Sequence, residues 1–219
     1  MQSLTFKLGT IPVRVQPWFF LTTALMNIGL LDHDPVRLPI WMAVVFASVL
    51  VHELGHALAV QAFGLKPAIE LHGMGGTTIW AGTKRISSAK TIVISLAGPF
   101  MGLLLGGVVF VAVSRADIGS ELGQWTAASL VYVNVFWGLL NLLPILPLDG
   151  GNVLLSVLDA ATHGRGARPA HVVSLIVAVL ALVPAYQMGY LWGGLLAILF
   201  ASSNWQWLER NGRASVGSR

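Results

Sequence analysis

Two hydrophobic rhythms divide this chain. Near its start "LTFKLGTIPVRV" alternates apolar and polar residues with a period of two, which predicts two short strands turning at Gly9–Thr10. From Pro17 onward the alternation gives way to long apolar runs, at approximately 16–31, 38–64, 91–114, 123–148, 171–187 and 189–208. Each approaches the roughly 20 residues a helix needs to cross a bilayer. The last two come from one uncharged run, Val172 to Leu208, which is too long for a single crossing and is divided by "PAYQMGY". Between the second and third runs, "PAIELHGMGGTTIWAG" groups β-forming residues around Gly73, Gly75 and Gly76 and predicts a second hairpin. The expected fold is an all-α polytopic membrane protein of about six transmembrane helices, with short β-hairpin elements near the N-terminus and after the second helix.

Composition supports the membrane reading. Of 219 residues 55% are hydrophobic and 10% charged, and the mean hydropathy is +0.75; soluble domains carry about 25% charged residues. With no cysteine, any metal must be held by His, Asp or Glu. The net charge of +4 does not point to nucleic acid, because the basic residues are spread over short loops and form no single patch. Lys7, Arg14, Lys66, Lys84, Arg85, Lys90, Arg165, Arg168, Arg210, Arg213 and Arg219 fall on one side of the expected spans, and Arg37 and Arg115 on the other. The positive-inside rule then places both ends of the chain, and the loops carrying these residues, in the cytoplasm. No cleavable signal sequence is expected, and the chain is read as a single domain over 1–219.

One stretch resists the lipid-facing reading. "VHELGH" (51–56) sets two histidines and a glutamate within the second apolar run, where an ionisable group at mid-bilayer costs roughly 2.5–3.5 kcal/mol. On a helix, His52 and His56 lie at i and i+4 and project from one face. That geometry suits two nitrogen ligands of one zinc ion, with Glu53 beside them to take a proton from a zinc-bound water attacking a carbonyl.

A catalytic zinc takes three protein ligands. His33, His163, His171, Asp159 and Glu121 are expected in loops, whereas Asp149 ends a long apolar span in "NLLPILPLDGGNVLL". On the topology above, Asp149 stands at a similar depth to His52 and His56. Pro144 and Pro147 break the helix before it, and Gly150 and Gly151 permit close backbone approach.

"HELGH", "NLLPILPLDG" (141–150) and "SLAGPFMG" (95–102) together resemble the site-2 protease family of intramembrane zinc metalloproteases, peptidase family M50, over about residues 40–155. The resemblance implies one zinc per chain on His52, His56 and Asp149, with Glu53 as catalytic base. It implies a lipid-embedded endopeptidase whose partner is a membrane-protein substrate with a transmembrane helix, cleaved within or near that helix. The site would open toward the cytoplasmic side of what is read as a prokaryotic plasma membrane, with a catalytic core at approximately 38–155 and no PDZ or CBS domain. An unwound substrate would pair with the edge from Gly75 to Ile79, so that Gly75, Gly76 and Thr77 are candidate substrate-binding residues, and Asn141 would contact substrate or fix the Asp149 turn. The chain departs from the family where an asparagine usually follows the proline by three residues; here that position is Gly102, part of a small-residue stripe with Gly98 and Gly106. A non-proteolytic zinc-binding membrane protein, structural or transporting, is the alternative. His72 is expected to be a solvated loop residue, Asn134 to line a water path or bond between helices, and Trp18, Trp41, Trp205 and Trp207 to anchor at the interface.

Overall fold

The computed structural model describes residues 3–81, 86–115 and 118–216, without the side chains of 212–216. Lys84, Arg85 and Arg219 of the charge pattern lie outside the described residues, as does the side chain of Arg213. Two compact units are distinguished, one comprising Met1–Arg85 with Ala97–Leu140, the other Ile86–Leu96 with Asn141–Arg219.

In the first unit the expected hairpin forms: β1 (Leu4–Leu8) pairs antiparallel with β2 (Ile11–Val15) around Gly9, whose φ is +58°. The second hairpin, β3 (Lys66–His72) with β4 (Gly75–Ala81), also forms. What the alternation did not predict is that the two join. β2 runs parallel to β3, pairing Val13 with Ile69 and Val15 with Leu71, to give one sheet in the order β1-β2-β3-β4. Its inward side chains, Ile11, Val13, Val15, Ile69 and Leu71, form a core cluster with Trp41, Val44, Val45 and Ala57 of α3. Burying each aliphatic side chain of this size contributes roughly 1.5–3 kcal/mol, so the sheet is fixed to that helix and β4 is left as an edge.

Helix α1 (Pro17–Leu25) begins at a proline, where a missing N–H costs no helical bond. It ends at Leu25, and a turn at 26–29 leads to α2 (Leu30–His33). Its 9 residues span roughly 14 Å at 1.5 Å per residue, short of the ~30 Å hydrocarbon layer. Helix α1 alone is therefore too short for the first expected span, whose residues are divided between α1, a turn and α2 on their way to the start of α3. Helix α3 (Arg37–Ala62) is 26 residues long. Its start is tied down by Arg37, which pairs with Asp34 at 2.8 Å and with Glu121 of α5 at 2.5 Å. Helix α5 (Glu121–Asn141) completes this unit with the Ala97–Arg115 part of α4 (Ser88–Arg115).

The second unit contains α6 (Asp149–Thr162), α7 (Ala167–Gln187) and α8 (Leu191–Val216). The fourth expected span is thus cut at Asn141, and Pro144 and Pro147 lie in the turn that follows, as the sequence predicts. Among the described residues three helices, α3, α4 and α7, are long and apolar enough to cross a membrane. Not every tryptophan sits at an interface. Trp41 is buried and donates to the Thr23 carbonyl at 3.2 Å, and Trp207 stacks on His171, while Trp18 and Trp205 are exposed.

Candidate active site

Because α3 is unbroken through residues 52–56, the i, i+4 spacing of its histidines becomes a real contact. The two Nε2 atoms face each other at 3.1 Å. Two nitrogens bound to one tetrahedral zinc at about 2.0–2.1 Å stand roughly 3.3 Å apart, so the pair fits that ion. The absence of cysteine leaves imidazole and carboxylate as the donor chemistry, which suits the same metal.

Close approach is made possible by a glycine. A Cβ at Gly98 of α4 would lie 2.2 Å from His56 Nε2 and 2.8 Å from His52 Nε2. Gly98 is therefore required by the imidazoles themselves, a demand that the small-residue stripe alone did not reveal. Gly55 serves the same approach, since a Cβ there would lie 2.4 Å from the Ala97 carbonyl. At Gly102, where the family pattern expects asparagine, a Cβ would be 3.7 Å from Asn134 Oδ1 and 4.0 Å from His52 Nδ1. An amide thus stands beside that position, supplied by α5. Asn134 is buried and donates to Ser48 Oγ of α3 at 2.8 Å, the interhelical bond expected of it as one alternative.

Glu53 is only 5% exposed. Its Oε2 accepts a hydrogen bond from Thr78 of β4 at 2.7 Å, and Gly76 is so close that a Cβ would meet Glu53 Cγ at 2.5 Å. Strand alternation explains the pairing: residues 76 and 78 share one face of β4 and turn toward α3. Thr77 faces away, and its hydroxyl lies 3.0 Å from His72 Nε2 on the exposed side of the hairpin. Of the candidate strand residues, then, Gly76 touches the glutamate and Thr77 does not. Thr78 does, and the sequence offered its position in the alternation as a signal, had the face been known.

In the second unit Asp149 is the first residue of α6, where a carboxylate is favoured by the helix dipole. The following glycines are compelled by the turn before them. A Cβ at Gly150 would lie 2.1 Å from the Leu142 carbonyl oxygen, and one at Gly151 2.4 Å from the Ile145 carbonyl carbon. Asn141 ends α5. His171 and Asp159, expected in loops, lie within α7 and α6, and Asp159 Oδ1 accepts the N–H of Gly166 at 2.8 Å.

Residues 121–185 match peptidase family M50. A zinc metalloprotease of Methanocaldococcus jannaschii is 29% identical over 70% of this chain and 44% of its own length. A candidate zinc metalloprotease of Synechocystis is 32% identical over 71% of this chain and 44% of its own length. The chain thus resembles peptidase family M50 over part of its length. Its fold is that of the site-2 protease from Methanocaldococcus jannaschii, with a TM-score of 0.68, 22% identity and 94% of each chain covered. It spans less than half the length of these curated relatives.

Proposed function

We propose that this chain is a member of peptidase family M50 and an intramembrane zinc endopeptidase that hydrolyses peptide bonds within or near the transmembrane helices of membrane-protein substrates. The observation that carries the reading is the buried Glu53 carboxylate beside two facing imidazoles on one apolar helix. A site that only held metal would have no use for such a base.

His52, His56 and Asp149 are the proposed ligands of one zinc ion. In support, the two imidazoles face each other at 3.1 Å, and a carboxylate is a donor type that completes such a ligand set. When bound, zinc supplies Lewis-acid polarisation. Glu53 takes the proton of the attacking water and returns it to the leaving amine. Thr78 holds Oε2 and so aims the other carboxylate oxygen. The β4 edge, with Gly75, Gly76 and Thr77, is proposed to pair with an unwound substrate segment, and Asn141 to contact substrate or support the Asp149 turn. Lys66, Lys90, Arg165 and Arg168 favour a cytoplasmic setting for the segments that carry them, and with them an active site nearer that face.

The test is cleavage of a transmembrane substrate in detergent or liposomes, wild type beside Glu53→Gln, with zinc content measured on both. Retained zinc and a roughly 10²- to 10⁴-fold loss of rate are expected. Undiminished cleavage by the variant overturns the reading.

A further inference from the structure

The turn at 142–148 carries two prolines, which supply no N–H, and buries Ile145 and Leu146, where an unsatisfied main-chain group is costly. Ile145 and Leu148 bond within the turn, their N–H groups donating to Leu143 and Ile145 carbonyls at 2.7 Å each. The main-chain groups of Leu146 bond outside the turn instead. Its N–H donates to Ser174 Oγ of α7 at 2.9 Å, and its carbonyl accepts from Asn204 Nδ2 of α8 at 2.8 Å. Both partners are almost fully enclosed, Ser174 at 0% and Asn204 at 1% exposed.

Asn204 is itself fixed in orientation. Its Nδ2 also donates to the Phe200 carbonyl at 2.7 Å, and two carbonyls can only accept, so Oδ1 is the acceptor on its other side. His171 Nδ1, 2.7 Å away, must therefore be the donor to it. The imidazole stacks on Trp207 with ring centroids 3.9 Å apart. His171 and Ser174 are at i and i+3, one face of α7, so α7 and α8 jointly grip a single residue placed three before Asp149.

We propose that Asn204 and Ser174 are positioning residues for Asp149: by holding both main-chain groups of Leu146 they fix the turn that delivers its carboxylate. This rests on the reading of Asp149 as a metal ligand. It assigns a role in the metal site to two helices that lie outside the 38–155 core and carry no ligand of their own. The chemistry is that of outer partners which orient a ligand, where substitution lowers metal affinity by about 10- to 100-fold.

The experiment measures zinc affinity of the full chain in detergent, by competition with a chromophoric chelator. Asn204→Leu and Ser174→Ala are each made alone and in an Asp149→Ala background. The expected result is a roughly 10- to 100-fold weaker affinity for Asn204→Leu and a smaller loss for Ser174→Ala, both vanishing once Asp149 is gone. Equal losses in the two backgrounds would show general destabilisation and overturn the proposal, as would unchanged affinity in the native background. Ser174→Ala removes only one hydroxyl and keeps the test decisive where Asn204→Leu fails to fold. An Asp149→Ala chain that binds zinc like wild type overturns instead the reading of Asp149, and the clamp with it.

Discussion

Along α3 the two imidazoles and Glu53 ride on uninterrupted helix, so backbone geometry alone sets their spacing, and the neighbouring chain need only stay out of the way, as Gly98 does. Before α6 the chain abandons helix from 142 to 148, and the position of Asp149 depends on partners that hold an irregular turn. The first arrangement is local and tolerant of what surrounds it. The second is assembled from long-range hydrogen bonds and tight backbone contacts, and has more ways to fail. A substitution of the same chemical size should therefore cost different things in the two regions.

Glycine to alanine makes that contrast directly. At Gly150 the added methyl meets a main-chain oxygen at 2.1 Å, and main chain cannot rotate aside. Gly150→Ala is expected to cost at least the ~1–3 kcal/mol typical of overpacked sites, lowering the unfolding temperature in detergent as well as zinc content. At Gly98 the obstacle is the end of an imidazole, which can swing on its own side-chain torsions. Gly98→Ala is expected to leave the unfolding temperature nearly unchanged while reducing zinc affinity by about 100-fold, on the scale set for groups that orient metal ligands. If Gly98→Ala instead unfolds the protein and Gly150→Ala does not, the distinction between the two regions is wrong.

The same contrast explains what could be read from the sequence. His52, Glu53 and His56 were legible because a helix converts spacing into geometry without outside help. The two hairpins were legible from alternation and glycine. The parallel pairing of β2 with β3 was not, since it joins Val13 to Ile69 across the whole of α3 and no local pattern encodes it. Nor was the shortness of α1: the run 16–31 is apolar enough for a span, yet α1 ends at Leu25 and a turn at 26–29 separates it from α2. Asp149 was singled out as a candidate by its place at the end of an apolar run, but the hydrogen bonds that hold the turn before it were not visible there. Ser174 and Asn204 stand 28 and 58 residues from Leu146, and in isolation each is an unremarkable polar residue in an apolar helix. Thr78 was missed by one position in favour of Thr77, because strand alternation gives two faces and only the packing on α3 says which is inward.

That last difference yields the finest test. Thr78 donates to the Glu53 carboxylate, so removing its hydroxyl tests the base apart from the metal. Thr78→Val preserves shape and β propensity while deleting one hydrogen bond to a charged acceptor, a loss of about 1.5 kcal/mol or slightly more. If Glu53 acts as the base and Thr78 aims it, kcat should fall roughly tenfold, because 1.36 kcal/mol of barrier corresponds to a factor of ten. Zinc content should stay at the wild-type level. Thr77→Val, on the opposite face beside His72, is the matched control and should leave the rate within about twofold, the ±0.5 kcal/mol expected of a surface change. A Thr78→Val chain that loses zinc would mean that the strand supports the α3 ligands as a whole. A chain that loses neither zinc nor rate would mean that Glu53 is held by the helix alone, as the histidines are.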